Sequence, residues 1–198
     1  MPVIVDHDAR RRQVAEVAGR IVAEGGAEAL TLRRVAQTIG CSTTVVSHYF
    51  TDKRDLLLAT YRAAADRLRG EVESYVEQGD LAALMESWLP MTPAHKDNWR
   101  IWLALWDAAA TDPELVAEQR SRVRAARERV HHILMRSSLN GHRPSSAEAE
   151  RVARHTMTVT MGIATQACFD AEDWPAERQR EAIQDHLRAI GWKAAKAA

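Results

Sequence analysis

The segment from Thr31 to Asp55, TLRRVAQTIGCSTTVVSHYFTDKRD, constrains this chain more than any other stretch. Leu32, Val35, Ala36 and Ile39 recur at helical spacing, and Gly40 follows as a stop where the backbone must turn left-handed. Ser42 stands where it can cap a second helix, about Thr43 to Tyr49, by accepting a bond from a free backbone N–H. Asp52 and Asp55 form a cap-like pair at the start of a third. Two short helices joined by a glycine-containing turn of this length have the form of a DNA-binding helix-turn-helix, whose second helix meets base edges with its N-terminal residues. Here those residues are Thr43 and Thr44, both small and hydrogen-bonding.

The chemistry around that second helix suits a phosphate backbone. Ser47, His48 and Tyr49 offer hydroxyls and an imidazole, and Lys53 sits in the first turn of the following helix, where backbone N–H groups already favour anions. From Thr31 to Arg54 the charged residues are Arg33, Arg34, Lys53 and Arg54 against Asp52 alone, the local excess that phosphate binding requires. Total charge adds little. The 198 residues hold 27 Lys and Arg and 27 Asp and Glu, and residues 1–54 carry eight basic against six acidic side chains. The DNA-binding reading therefore rests on the motif.

These residues resemble the tetracycline-repressor (TetR) family of bacterial regulators. SHYFTDK is similar to the end of that family's recognition helix, RRRQVAEVAGRIVAEGG to its first helix, TLRRVAQTIG to its second and STTVVSHY to its third. Within the family, the words STTVVSHYFTDK, LLLATYR and WRIWLALWDAAATDPEL resemble the BetI-like, choline-responsive subgroup over most of the first 120 residues. The resemblance implies that Thr31, Arg33, Thr43, Thr44, Val45, Ser47, His48, Tyr49 and Lys53 face operator DNA. Arg33, Thr43 and Thr44 are expected on bases, Val45 on a thymine methyl, and His48, Tyr49 and Lys53 on the backbone. The C-terminal third departs from the subgroup: where BetI-like chains carry a tryptophan, this one reads HTMTVTMGIATQACF.

No sustained alternation of apolar and polar residues appears, so the fold class is all-α. Behind the helix-turn-helix the spacing predicts a long helix from Lys53 to Gln78, then a short one with Leu81, Leu84, Met85 and Trp88 on one face. Pro90 and Pro93 frame a loop before NWRIWLALWDAAA. Asp112-Pro113-Glu114 restarts the chain as a helix running to about Leu139, with Asp as cap and Pro at the first position. Ser145 with Glu148 reads as a capping box opening a helix to about Ala171. Trp174-Pro175 begins the last helix, which ends near Gly191 before a frayed KAAKAA tail. The count is about nine helices: a three-helix DNA-binding domain over residues 1–54 and a six-helix effector-binding and dimerisation domain over 55–198, the layout the resemblance implies.

Trp99, Trp102 and Trp106 fall at i, i+3 and i+7 on one helical face, with Trp88 close in sequence. Such a stripe has two readings: core packing, or an aromatic cage for a quaternary ammonium held by cation–π attraction. Tyr61, Met157, Met161 and Phe169 are the further candidates for a pocket wall, and Asp107 or Asp170 for a countercharge. The effector implied by the resemblance is a small quaternary ammonium compound such as choline; a hydrophobic metabolite or drug stands beside it, as does a helical small-molecule-binding protein that does not bind DNA.

Other classes find no support. Arg120, Arg122, Arg124, Arg127 and Arg129 point around their helix and read as a solvated surface. His131 and His132 diverge, with no carboxylate or Cys at i+4, so no metal or other cofactor is expected. No nucleophile elbow, phosphate loop or zinc-protease spacing occurs, so the chain reads as a non-enzyme. No run of about eighteen apolar residues predicts a membrane span, and the first residues lack an apolar core for a signal peptide. Cys41 and Cys168 read as buried thiols of a reducing cytoplasm. Two-fold operators need two-fold proteins, so a homodimer is expected. Its seam is placed on the last two long helices, with Ala153, Thr156, Thr160, Gly162, Ala164 and Ala167 permitting close approach and Ile183, Leu187 and Ile190 as anchors.

Overall fold

The computed structural model describes residues 7–194, so most of the KAAKAA tail lies outside the described residues. The described residues form ten α-helices, one short 3-10 turn and one two-residue strand pair. The helices are α1 (His7–Gly25), α2 (Leu32–Ile39), α3 (Thr43–Tyr49), α4 (Lys53–Arg67), α5 (Arg69–Gln78), α6 (Leu81–Ser87), α7 (Pro93–Ala109), α8 (Pro113–Met135), α9 (Ser146–Phe169) and α10 (Ala176–Ala189). The all-α architecture with a three-helix N-terminal reader is as the sequence predicts.

Local chemistry sets most of the boundaries. The Thr31 hydroxyl accepts the Arg34 N–H at 3.0 Å to start α2, and Gly40 ends it at φ 78°, a conformation that favours glycine. The Asp112 carboxylate accepts the N–H groups of Glu114 (2.9 Å) and Leu115 (3.3 Å) to start α8. Ser145 accepts from the Glu148 N–H at 3.2 Å to start α9. Ser42 does occupy the N-cap of α3 with extended backbone, but its side chain makes no capping bond; the Val45 N–H goes to the Ser42 carbonyl instead, at 3.1 Å.

Three expectations need correction. The single helix from Lys53 to Gln78 is two, α4 and α5, interrupted at Leu68. Leu68 keeps right-handed backbone angles and still accepts the Val72 N–H, at 3.0 Å, so the apolar stripe runs on unbroken through the interruption. Gly70, exposed two residues later, weakens the helix there by about 1 kcal/mol relative to Ala. Second, α8 stops at Met135, and Ser138–Leu139 pairs antiparallel with Trp192–Lys193. Positive φ at Asn140 (49°) and Gly141 (84°) turns the chain after it. Lys193 therefore belongs to a strand, not to a frayed tail. Third, Cys41 and Cys168 are half-buried, not buried.

The chain divides into two compact units, Met1–Arg67 with Asp97–Ala117, and Leu68–Lys96 with Glu118–Ala198. The first contains the expected domain 1–54 and adds the rest of α4, most of α7 and the start of α8. Its core joins Val14, Ala18, Ile21 and Val22 of α1, Val35 of α2, Val46 of α3, Phe50, Leu56 and Tyr61 with Ile101, Ala104 and Leu105 of α7. Gly19 makes this approach possible, because a Cβ there would meet the Ile101 Cδ1 atom at 3.3 Å. In the second unit, α10 packs on α9 and α6, and α5 on α6. Leu81, Leu84, Met85 and Trp88 are all buried, as their spacing predicts.

Candidate nucleic-acid interface and ligand site

The recognition helix is held by its apolar side. Val46 and Phe50 are completely or almost completely buried, whereas Thr43, Thr44, Val45, Ser47 and His48 are exposed and Tyr49 is half-buried. Thr31, Arg33 and Lys53 are exposed as well. All nine residues expected on DNA lie in the first unit. Ser47 donates its hydroxyl proton to the Thr43 carbonyl at 3.0 Å.

Arg11 was missed by sequence reasoning. Its guanidinium donates to the Tyr49 carbonyl at the end of α3 and pairs with Asp55 in the first turn of α4. The same group lies 4.3 Å over the Phe50 ring, a distance at which cation–π attraction operates. Asp55 in turn accepts the Thr51 N–H at 3.2 Å, and Asp52 accepts the Asp55 N–H at 2.8 Å, so the cap-like pair is real. One arginine on α1 thereby fixes where α3 ends relative to where α4 begins. Its partners stand 38 and 44 residues away, beyond any local sequence signal.

Arg54 is turned away from this role. It pairs with Glu114 at 2.7 Å and with Asp112 at 3.4 Å, and these two acids raise its already high pKa. At Asp112 burial opposes the charge, but the amides of Leu115 and Glu114 together with Arg54 outweigh it and hold the carboxyl below its usual range. With Arg54 engaged by acids, the field that the four local cations present to an anion is set mainly by Arg33, Arg34 and Lys53.

Of the expected ligand residues, the structure brings three tryptophans together. The Trp99 ring lies 5.1 Å from Trp102 at 62° and 5.7 Å from Trp106 at 85°, both edge-on. Trp99 is buried and the other two are half-buried. The indole N–H groups of Trp102 and Trp106 are buried without a hydrogen-bond partner. Tyr61 is buried in the core of the same unit. Trp88, Met157, Met161 and Phe169 belong to the second unit; Trp88 and Met157 are buried, Met161 is half-buried, and Phe169, the last residue of α9, is 77% exposed. A separate open groove of about 570 Å³ runs between the end of α1 and a different face of α7, lined by Glu24, Glu28, Arg100 and Asp107 among others. Of the residues expected at the ligand site, the candidate countercharge Asp107 lines it, and none of the tryptophans does.

On α9, Ala153, Thr156, Thr160, Ala164 and Ala167 are buried within the chain itself, as are Ile183 and Leu187 of α10. Helices α9 and α10 pack on each other, and the Thr156 hydroxyl and the His186 Nε2 atom are 2.9 Å apart. Burial first, and then the neighbouring His155, lower the His186 pKa. The side of α9 left outward carries Thr158, Gly162, the half-buried Thr165 and Phe169. The described residues hold no group of His, Cys, Asp and Glu that could bind a metal, and no helix among them is long and apolar enough to cross a membrane.

Comparison with known proteins agrees with this geometry. The profile of bacterial regulatory proteins of the tetR family matches residues 15–60, and that of the C-terminal domain of BetI-type transcriptional repressors matches residues 77–191. The second match spans the C-terminal third, including the segment HTMTVTMGIATQACF that lacks the subgroup's tryptophan. The regulator BetI of Burkholderia mallei is 33% identical over 130 residues, covering 63% of this chain and 67% of that protein. The regulator PksA of Bacillus subtilis is 23% identical over 195 residues, covering 96% of this chain and 94% of its own. Among solved structures, a transcriptional regulator from Rhodococcus sp. RHA1 superposes with a TM-score of 0.80 at 25% identity, covering 91% of this chain and 95% of that one. One from Saccharomonospora viridis, in complex with choline, gives 0.79 at 18% identity, covering 94% and 99%; at that identity the likeness is one of fold.

Proposed function

This chain belongs to the TetR family of bacterial transcriptional regulators and carries a BetI-type C-terminal domain, and from that premise we propose that it is a repressor released from its operator by a small quaternary ammonium compound. The observation that carries the DNA-binding part is the orientation of α3: Val46 and Phe50 anchor it, while Thr43, Thr44, Val45, Ser47 and His48 stand free of the core. Arg33, Thr43 and Thr44 read base edges, Val45 meets a thymine methyl, and Thr31, Ser47, His48, Tyr49 and Lys53 hold the backbone. A phosphate contact binds all sequences alike. Lys53→Ala is therefore expected to weaken operator and unrelated DNA by a similar factor and to flatten the dependence of log Kd on log salt by about one unit. Gel shifts on the chain's own upstream DNA over a salt series measure both; an unchanged slope rejects the contact.

The ligand reading rests on the tryptophan face of α7. Trp102 and Trp106, each with its ring within 6 Å of that of Trp99, provide π faces for a cation without its own hydrogen-bond donors. The two unpartnered indole N–H groups call for an acceptor oxygen, since an unsatisfied buried donor costs about 1–3 kcal/mol. A small ligand combining a quaternary ammonium with a hydroxyl, carbonyl or carboxylate oxygen satisfies both, and choline is of that class. A thermal-shift comparison of choline with betaine aldehyde, polyamines and flat hydrophobic compounds tests it, because a ligand that binds only the folded state raises Tm.

The repressor acts as a homodimer in the cytoplasm. With the small residues of α9 buried inside the chain, the seam falls on its outward side, where Thr158, Gly162 and Phe169 are exposed. The exposure of Phe169 supports a place in this seam in preference to the ligand site. Light scattering at micromolar concentration is expected to give twice the chain mass, and Gly162→Glu with Phe169→Glu to give the monomer. A monomeric native chain rejects the dimer, and a dimeric double variant rejects this seam.

A further inference from the structure

His7, the first residue of α1, packs against the end of the recognition helix. Its ring centroid is 4.8 Å from that of Tyr49 and 6.0 Å from that of His48, and the His48 and Tyr49 rings are 5.4 Å apart. Both imidazoles are exposed. Two elements far apart in sequence thus build one small patch of three rings, two of them imidazoles, beside the residues assigned to the DNA backbone.

The charges around this patch are accounted for. On α1, Asp8 adjoins His7, Arg10 donates to Gln13 at 2.7 Å and Arg11 is engaged by Asp55 and the Tyr49 carbonyl. On α3 there is no acidic residue. At the start of α4, Asp52 and Asp55 accept backbone N–H groups, and Lys53 adds a positive charge. Three cations, Arg10, Arg11 and Lys53, thus stand against three acids, Asp8, Asp52 and Asp55, and the Arg11–Asp55 pair is already satisfied.

We propose that His7 is a further DNA-backbone contact and that it forms with His48 a proton-dependent phosphate clamp. The proposal rests on the DNA-binding reading and extends it to α1. Imidazole gains or loses its charge between about pH 5 and 8. Two imidazolium charges about 6 Å apart repel each other, and a phosphate oxygen seated between them is attracted to both. Protonation and DNA binding therefore promote each other, and each must do so by the same factor. The sign follows: the complex holds more protons than free protein and free DNA, so affinity rises as pH falls through the imidazole range.

Fluorescence anisotropy with labelled operator at fixed ionic strength tests this. The native chain is expected to bind about tenfold more tightly at pH 6 than at pH 8, with a salt slope steeper by at least about one unit at pH 6. His7→Gln is expected to cut the pH effect to about threefold. His7→Lys carries its charge throughout and is expected to bind more tightly than His7→Gln at pH 8, with the same reduced pH dependence. A purely structural role for the ring is not restored by lysine. Circular dichroism of the variants checks that the fold is intact. Operator binding that is flat with pH in the native chain, or equally pH-dependent in native and His7→Gln, overturns the clamp and leaves the DNA-binding reading standing. No operator binding at any pH removes both.

Discussion

Phe50→Ala is expected to destroy operator binding by unfolding the DNA reader. Phe50 is 1% exposed and closes α3, its N–H bonding the Val46 carbonyl at 3.0 Å. Its ring lies in the cluster that also contains Val46, Leu56, Ile101 and Leu105. Truncating a buried Phe to Ala typically costs about 3–5 kcal/mol, from lost transfer energy and from the cavity left behind. The guanidinium of Arg11 over the ring loses about 0.5–2 kcal/mol more. A domain is stable by only about 5–15 kcal/mol, so the sum takes a large part of the total. Urea unfolding followed by circular dichroism, run beside operator binding, measures the effect. Phe50→Leu keeps most of the volume and is expected to lose less than about 1.5 kcal/mol of packing energy, with operator binding largely retained. The two variants together separate loss of packing from loss of the aromatic face. A Phe50→Ala protein as stable as the native chain would contradict the placement of this ring.

What the sequence made legible was local. The helix-turn-helix, the stop at Gly40, the caps at Asp112 and Ser145 and the pair Asp52–Asp55 depend on groups within about four residues of each other, and each stands where its spacing puts it. Long-range contacts were not legible. Arg11 reaches Tyr49 and Asp55 through the folded reader, and in the sequence it is one of three consecutive arginines with nothing to distinguish it. Arg54 is similar: its position argued for phosphate, and the approach of Asp112 and Glu114, 58 and more residues on, commits it to acids. The break at Leu68 escaped notice because right-handed angles persist there and the apolar stripe does not change phase. The small residues of α9 show the limit of a face argument. Their spacing marks a face that is buried, but that face is buried inside the chain itself, so spacing alone does not say which surface of α9 meets a second copy.

That break also changes how ligand binding would reach DNA. The helix predicted from Lys53 to Gln78 is interrupted at Leu68, where α4 and the compact unit that contains it end. The direct route is α7. Ile101, Ala104 and Leu105 on one side of α7 are part of the reader's core, while Trp99, Trp102 and Trp106 mark the face assigned to the ligand. A ligand that displaces this helix displaces the packing on which α1 and α4 rest. Its effect is limited to its differential affinity for the DNA-competent and DNA-incompetent states. Trp102 packs on the reader's core, and Trp106 is not part of that packing, so the two should behave differently. Trp106→Ala is expected to fold, to bind operator within a few-fold of the native chain, and to be released by choline only at much higher concentration. Trp102→Ala is expected to lose ligand response and stability together, within the range of about 3–5 kcal/mol typical of a truncated Trp. Trp106→Phe keeps a π face but no indole N–H, so it is expected to respond to ligand more weakly than the native chain and more strongly than Trp106→Ala. Operator affinity with and without choline, measured alongside the Tm of each variant, distinguishes these outcomes. A folded Trp106→Ala chain with a native response to choline would show that this face is core packing and that the ligand binds elsewhere.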